Sequence, residues 1–224
     1  MSSESTALVS VAARLKADLE RNRKIAPASG SRYITAEAGR FVLPNGQSNE
    51  TLSGILIDFR KVFSFYKAAY NPKVKAKPEC FAIGMDEDLE MRAHPAAPKP
   101  QHGEFCGSCP NNQWKSGAGN GKRCKNAYRV ALLPPNSTDP KSLLILTLPP
   151  TSIKAFNGYL AGLDEAGLHP AQAITTVSFD TEASHNKFLF EKTGLVPDIE
   201  ALNAALIAAP DLLESIAGLV VTDD

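Results

Sequence analysis

The amino-acid sequence predicts a mainly β protein with helices, an α+β fold built on a five-stranded barrel with a loop element inserted between strands. Three observations predict it. Several short stretches alternate apolar and polar residues, as half-buried strands do. One amphipathic helix, 151–166, precedes the last pair of strands. Residues 71–125 hold all four cysteines, most of the Lys-Pro punctuation and little periodicity.

Taken in order, residues 5–24 read as a capped amphipathic helix and 26–32 (APASGSR) as a linker, so 1–32 form an N-terminal segment. Tyr33–Leu43 reads as a strand, ended by the turn signal Pro44-Asn45-Gly46. Leu52–Tyr66 is the clearest long strand. Ile55, Ile57, Phe59, Phe63 and Phe65 fall on one face and read as core, while Asp58, Arg60, Ser64 and Tyr66 fall on the other. Lys61 interrupts the apolar face, which predicts a bulge or bend there. Strands follow over Tyr128–Leu133 and Leu143–Leu148. The helix over 151–166 would be capped by Thr151 or Ser152 and ended by Gly167. Ile174–Phe179 and Lys187–Phe190 read as short strands, and 198–209 and 210–219 as two short helices split by Pro210. The main domain is thus 33–195, with an insertion at about 71–125, followed by an acidic helical segment, 196–224. The pattern fits a barrel of the oligonucleotide-binding (OB) type; an ordinary α+β sandwich fits it nearly as well.

The chain has 224 residues, 43% of them hydrophobic, enough to bury a core without disulfides. No apolar run approaches the ~18 residues of a membrane span. The N-terminal sequence lacks the basic start and apolar stretch of a secretion signal. The expected setting is the cytoplasm, where paired thiols signify metal or redox chemistry more often than disulfides. Net charge is zero but unevenly spread. Arg60, Lys61, Lys67, Lys73, Lys75 and Lys77 follow one another with no acid between, as do Lys115, Lys122, Arg123, Lys125 and Arg129. From Asp180 onward nine acids face two bases. A basic middle and an acidic end suggest a polyanionic partner for the middle.

Cys106-Gly107-Ser108-Cys109 is a C-x2-C knuckle, whose turn lets two thiolates face one tetrahedral zinc ion. Cys124 follows at a spacing usual for the second half of a zinc site, and Cys80 completes a four-thiolate set. Four protein ligands leave no open position for water, so the expected ion is structural, one Zn2+. His94 and His102 compete for the fourth place; if either served, Cys80 would be an ordinary buried strand cysteine. A redox role is the weaker reading, because Pro110-Asn111-Asn112 continues the loop where a redox pair usually starts a helix. His102-Gly103-Glu104 is a His-x-Glu, but Phe105 rather than a proline precedes Cys106, so the zinc-deaminase pattern is incomplete; no HExxH, GxSxG or GxxxxGK[ST] pattern occurs. Asp86, Glu87, Asp88 and Glu90 read as a solvated loop. The expectation is a protein without enzymatic activity.

Single-strand binders combine a positive groove with aromatic platforms on which bases stack. The basic segments here carry Tyr66, Tyr70, Trp114 and Tyr128. The candidate nucleic-acid contacts are Arg60, Tyr66, Lys67, Tyr70, Lys73, Lys75, Trp114, Lys115, Lys122, Arg123, Lys125, Tyr128 and Arg129. Trp114 has a competing role, packing over the zinc knuckle.

Cys80, then FCGSCPNNQWKSGAGNGKRCKNAYRVALLP (105–134), LTLPPTSIKAFNGYLAGL (146–163) and ITTVSFD (174–180) resemble a group of bacteriophage proteins. These are zinc-containing single-stranded DNA-binding proteins of phage replication or recombination modules. The resemblance covers roughly residues 34–195. It implies an OB-like fold with an inserted zinc element, zinc ligation by Cys80, Cys106, Cys109 and Cys124, and no enzymatic activity. It also implies single-stranded DNA as partner, in the cytoplasm of an infected bacterium, with replication or recombination proteins as candidate partners of the acidic end. The alternative expectation is a zinc-stabilised interaction or regulatory module that binds no DNA.

Overall fold

The computed structural model describes residues 32–68, 77–85, 90–100 and 105–208. The helices expected over 5–24 and 210–219 lie outside these residues.

β4, Thr51–Phe65, is the spine of the sheet. It pairs with β6 (Cys124–Leu133) along nearly its whole length. On its other side it pairs first with β8 (Ala173–Phe179) and then with β5 (Cys80–Gly84). The remaining strands are β1 (Tyr33–Glu37), β2 (Arg40–Val42), β3 (Ser48–Asn49), β7 (Leu144–Leu148) and β9 (Phe188–Leu195). The order is β3-β2-β1-β7-β6-β4-β8-β9, with β5 beside β4. Every pairing is antiparallel except that of β1 with β7. Among the described residues, nine strands form one curled half-barrel sheet with two helices, α1 (Pro150–Glu165) and α2 (Ile199–Ile207). The protein is mostly β in an α+β arrangement, with more strands than the five expected.

Several differences from the sequence reading have local causes. Tyr33–Leu43 is a hairpin, not one strand. Ala38 and Gly39 both have positive φ, 49° and 75°, the twist a two-residue hairpin turn requires. The Pro44-Asn45-Gly46 turn forms as expected, with Gly46 at φ 84° and its N–H donating to Leu43. The bulge in β4 falls between Leu56 and Asp58, not at Lys61. The Asp58 carboxylate accepts from the Phe59 N–H at 2.8 Å, which holds the irregular backbone. The extra residue reverses the pleat. Ile55 and Ile57 therefore pack with Ala131, Leu133, Ile145 and Leu202 of α2, on the opposite side from Phe59.

Residues 71–125 are not without regular structure. Cys80-Phe81-Ala82-Ile83-Gly84 supplies β5, and β6 begins at Cys124 rather than Tyr128. Helix α1 starts at Pro150, where a missing N–H costs nothing. Neither Thr151 nor Ser152 caps it. Thr151 Oγ1 donates to the Asn186 carbonyl, and buried Ser152 Oγ accepts from Phe188 N–H, so the helix start is fastened to β9 and the loop leading into it. Gly167, at φ 67°, ends it as expected. Asp198 caps α2 by accepting from Ala201 N–H at 2.8 Å.

The largest core lies under α1, where buried Phe156 meets Phe59 edge-on at 5.3 Å. A third cluster sits at the far end of β4: Phe63, Phe65, Ala82, Met91 and Cys124. Phe63 and Phe65 are core residues, as their pattern predicted. Among the described residues no helix is long and apolar enough to cross a membrane.

Candidate metal centre and nucleic-acid interface

Cys80 on β5 and Cys124 on β6 both lie directly opposite Phe65 of β4. Residues paired across adjacent strands project to the same face, so the register alone puts these two cysteines and Phe65 on one side of the sheet. The knuckle joins them from the loop. Cys106 N–H donates to the Met91 carbonyl at 2.6 Å, and Cys109 N–H to the Cys106 carbonyl at 3.2 Å. Asn112 Nδ2 donates to the Cys106 carbonyl and Gln113 Nε2 to the Gly107 carbonyl, so the two residues after the turn clamp the knuckle from outside. The turn Pro110–Asn112 is a single short 3₁₀ turn.

Cys80, Cys106, Cys109 and Cys124, all thiols, line one cavity of about 20 Å³ together with Phe63, Phe65 and Phe105. That is room for roughly one water-sized sphere. The Cys124 thiol is pushed up to about 12, first by burial and then by Cys106, Cys109 and Cys80; Lys122 opposes the shift. The donors are soft and no carboxylate lines the cavity, a set that suits zinc. Among the described residues, however, no three His, Cys, Asp or Glu side chains are arranged to hold a metal ion. His94 is engaged elsewhere: its ring stacks on Phe81 at 5.1 Å and its Nδ1 accepts from Ala96 N–H. His102 lies outside the described residues.

The basic residues around Cys124 have a common geometry. Lys122 stands over the Trp114 ring at 5.4 Å, Arg123 over Phe65 at 5.4 Å and Lys125 over Tyr66 at 5.8 Å. Trp114 is 74% exposed, so it does not pack over the knuckle. Lys115, beside it, sits at φ 68° and its N–H bonds Asn120, part of the turn that carries the indole outward. Gly117 is required in that turn, because a Cβ there would lie 2.9 Å from the Lys122 backbone.

Arg60 and Arg129 lie directly opposite each other on β4 and β6. Asp58 takes the Arg60 guanidinium at 2.9 Å, and Arg129, buried, lies over the Tyr33 ring at 5.3 Å. Lys125 shares this face, opposite Ser64. Tyr128 points the other way. It stacks on Phe59 and meets Phe156, so its ring belongs to the main core and drops out of the candidate interface. Lys67 lines an open cleft with Tyr66. Tyr70, Lys73 and Lys75 lie outside the described residues.

The sequence reading missed four residues here. Lys77 and Glu79 complete the cleft around Tyr66; Lys77 stood in the basic run without being named as a contact, and nothing in the local pattern announces Glu79. Asn112 and Gln113 hold the knuckle, and their place within four residues after Cys109 was the available signal. Compared with known proteins, the chain matches no family model, no curated protein and no solved structure.

Proposed function

We propose that the chain is a non-enzymatic single-stranded DNA-binding protein stabilised by one structural zinc ion, which coats and protects DNA without reading its sequence. The observation that carries this reading is Trp114: a large indole kept 74% in solvent, with Lys122 over it and Lys115 beside it. A base stacking on that ring would bring its phosphates among the cations, and neither contact depends on base identity. The curled sheet is compatible with an OB-like fold, and the motif resemblance to phage single-strand binders of replication and recombination points the same way.

Cys80, Cys106, Cys109 and Cys124 would hold the zinc. When bound, the ion turns the thiols into thiolates and ties the loop carrying Trp114 to β5 and β6. Lys122, Arg123, Lys125 and Lys115 would meet the phosphates; Arg60, paired with Asp58, and buried Arg129 drop out of the proposed contacts.

The test is a titration of the zinc-loaded protein with labelled oligo-dT and a matching duplex at two salt concentrations. Tighter binding to the single strand, weakening as salt rises, is the expected result. Absence of binding at low salt would overturn it. That outcome would favour the second reading, a zinc-stabilised protein-interaction module, for which an exposed tryptophan is equally apt as an anchor.

A further inference from the structure

Tyr66 and Lys125 sit on the opposite side of the same strands from the thiol cavity. Phe65 and Cys124 line the cavity; Lys125, the next residue of β6, alternates to the other face, and Tyr66, the residue just after β4, meets it there. There Lys125 lies over the Tyr66 ring at 5.8 Å. Tyr66 also forms the wall of an open cleft of about 470 Å³, whose other walls are Lys67, Ala68, Lys77 and Glu79. Its lining holds one aromatic ring, two lysines and a single acid, and Lys125 stands over the ring.

We propose that this cleft is a second nucleotide subsite, separate from the Trp114 platform, that takes one base of a single strand on Tyr66 and its phosphate among Lys67, Lys77 and Lys125. The inference rests on the single-strand reading above and adds a second anchoring point to it. A base on Tyr66 occupies the place where Lys125 now stands, and displaces that ammonium toward the phosphate. Glu79, an acceptor only, suits the amino edge of a base and keeps phosphate on the lysine side. The run Lys122-Arg123-Cys124-Lys125 links the two platforms, since Lys122 stands over Trp114 and Lys125 over Tyr66. A strand long enough to reach both would be held at two stacked bases; a short one, at either alone.

The experiment uses the full zinc-loaded chain and oligo-dT of increasing length. Anisotropy of the labelled oligonucleotide reads total binding, and the fluorescence of Trp114, the only tryptophan, reads its platform. Wild type and Tyr66→Phe should gain affinity sharply once the oligonucleotide spans both points. Tyr66→Ala should lose that gain, about tenfold for one stacked base, while the Trp114 response to the shortest oligonucleotides stays unchanged. Lys67→Ala with Lys77→Ala should lower the salt slope for long oligonucleotides by about 1.4. If Tyr66→Ala gains affinity with length as wild type does, the subsite is wrong although the single-strand reading stands. If no oligonucleotide binds wild type at all, that reading fails and the subsite with it.

Discussion

Lys122 stands 5.4 Å above the ring of Trp114, and the indole beneath it remains 74% exposed. Little of the fold's stability rests on that side chain, so its removal separates binding from folding. Trp114→Ala is expected to change the unfolding free energy by no more than a surface substitution does, about 0.5 kcal/mol. It should weaken oligo-dT binding by about tenfold, the value of one stacked base. Trp114→Phe should restore most of the affinity. Unchanged binding by the alanine variant would remove Trp114 from the interface.

The cations around Cys124 make a separate prediction about salt. If Lys122, Arg123 and Lys125 each meet a phosphate, replacing all three by glutamine removes about three contacts. The slope of log K against log salt should then fall by about 2, since each contact to a single strand contributes about 0.7. Binding should weaken by a similar factor for every oligonucleotide sequence of equal length. A loss confined to particular sequences would mean that these residues read bases instead.

The thiol cavity predicts where metal removal is felt. Its lining is the small cluster at the end of β4, apart from the cores under α1 and α2. A chelator should therefore release about one zinc per chain and raise amide exchange in 80–84 and 105–124. Exchange in β7, α1 and β8 should change little. Cys109→Ser should reproduce the effect without chelator. A purified protein with no zinc, or a Cys109→Ser variant with unaltered exchange, would refute the metal centre.

The pattern of what was legible has a physical basis. β8 and the helix α1 were readable because burial there follows the local repeat, and β7 because Leu143–Leu148 is a short apolar run buried on both faces, between two cores. The phase of β4 was not. Its bulge arises where the Asp58 carboxylate takes the Phe59 N–H, so Ile55 and Phe59 serve different cores although they look alike in sequence. β5 escaped because Cys80–Gly84 is short and set among lysines and prolines, and only its partner β4 makes it a strand. The cysteine grouping was visible as spacing. The cleft around Tyr66 was not, since Lys77 and Glu79 reach it through tertiary structure alone.

The hydroxyls of Tyr159 and Thr175 meet at 2.6 Å between α1 and β8, and Thr175 is fully buried. Burial raises the Tyr159 phenol above its ordinary value, and the bond to Thr175 works in the other direction. An unfolded chain loses this proton near pH 10, while the folded chain keeps it to higher pH. The folded state then binds more protons, so this group's contribution declines as pH rises above about 10 and is fully present below it. Tyr159→Phe removes both effects. At neutral pH the variant should be less stable by about 1 kcal/mol, because the Thr175 hydroxyl is left without the phenol. Above pH 10 the gap should narrow, since only wild type carries the titrating phenol. Denaturant unfolding of both proteins across this range is the measurement, and a gap that stays constant would show that the phenol titrates alike in the folded and unfolded chains.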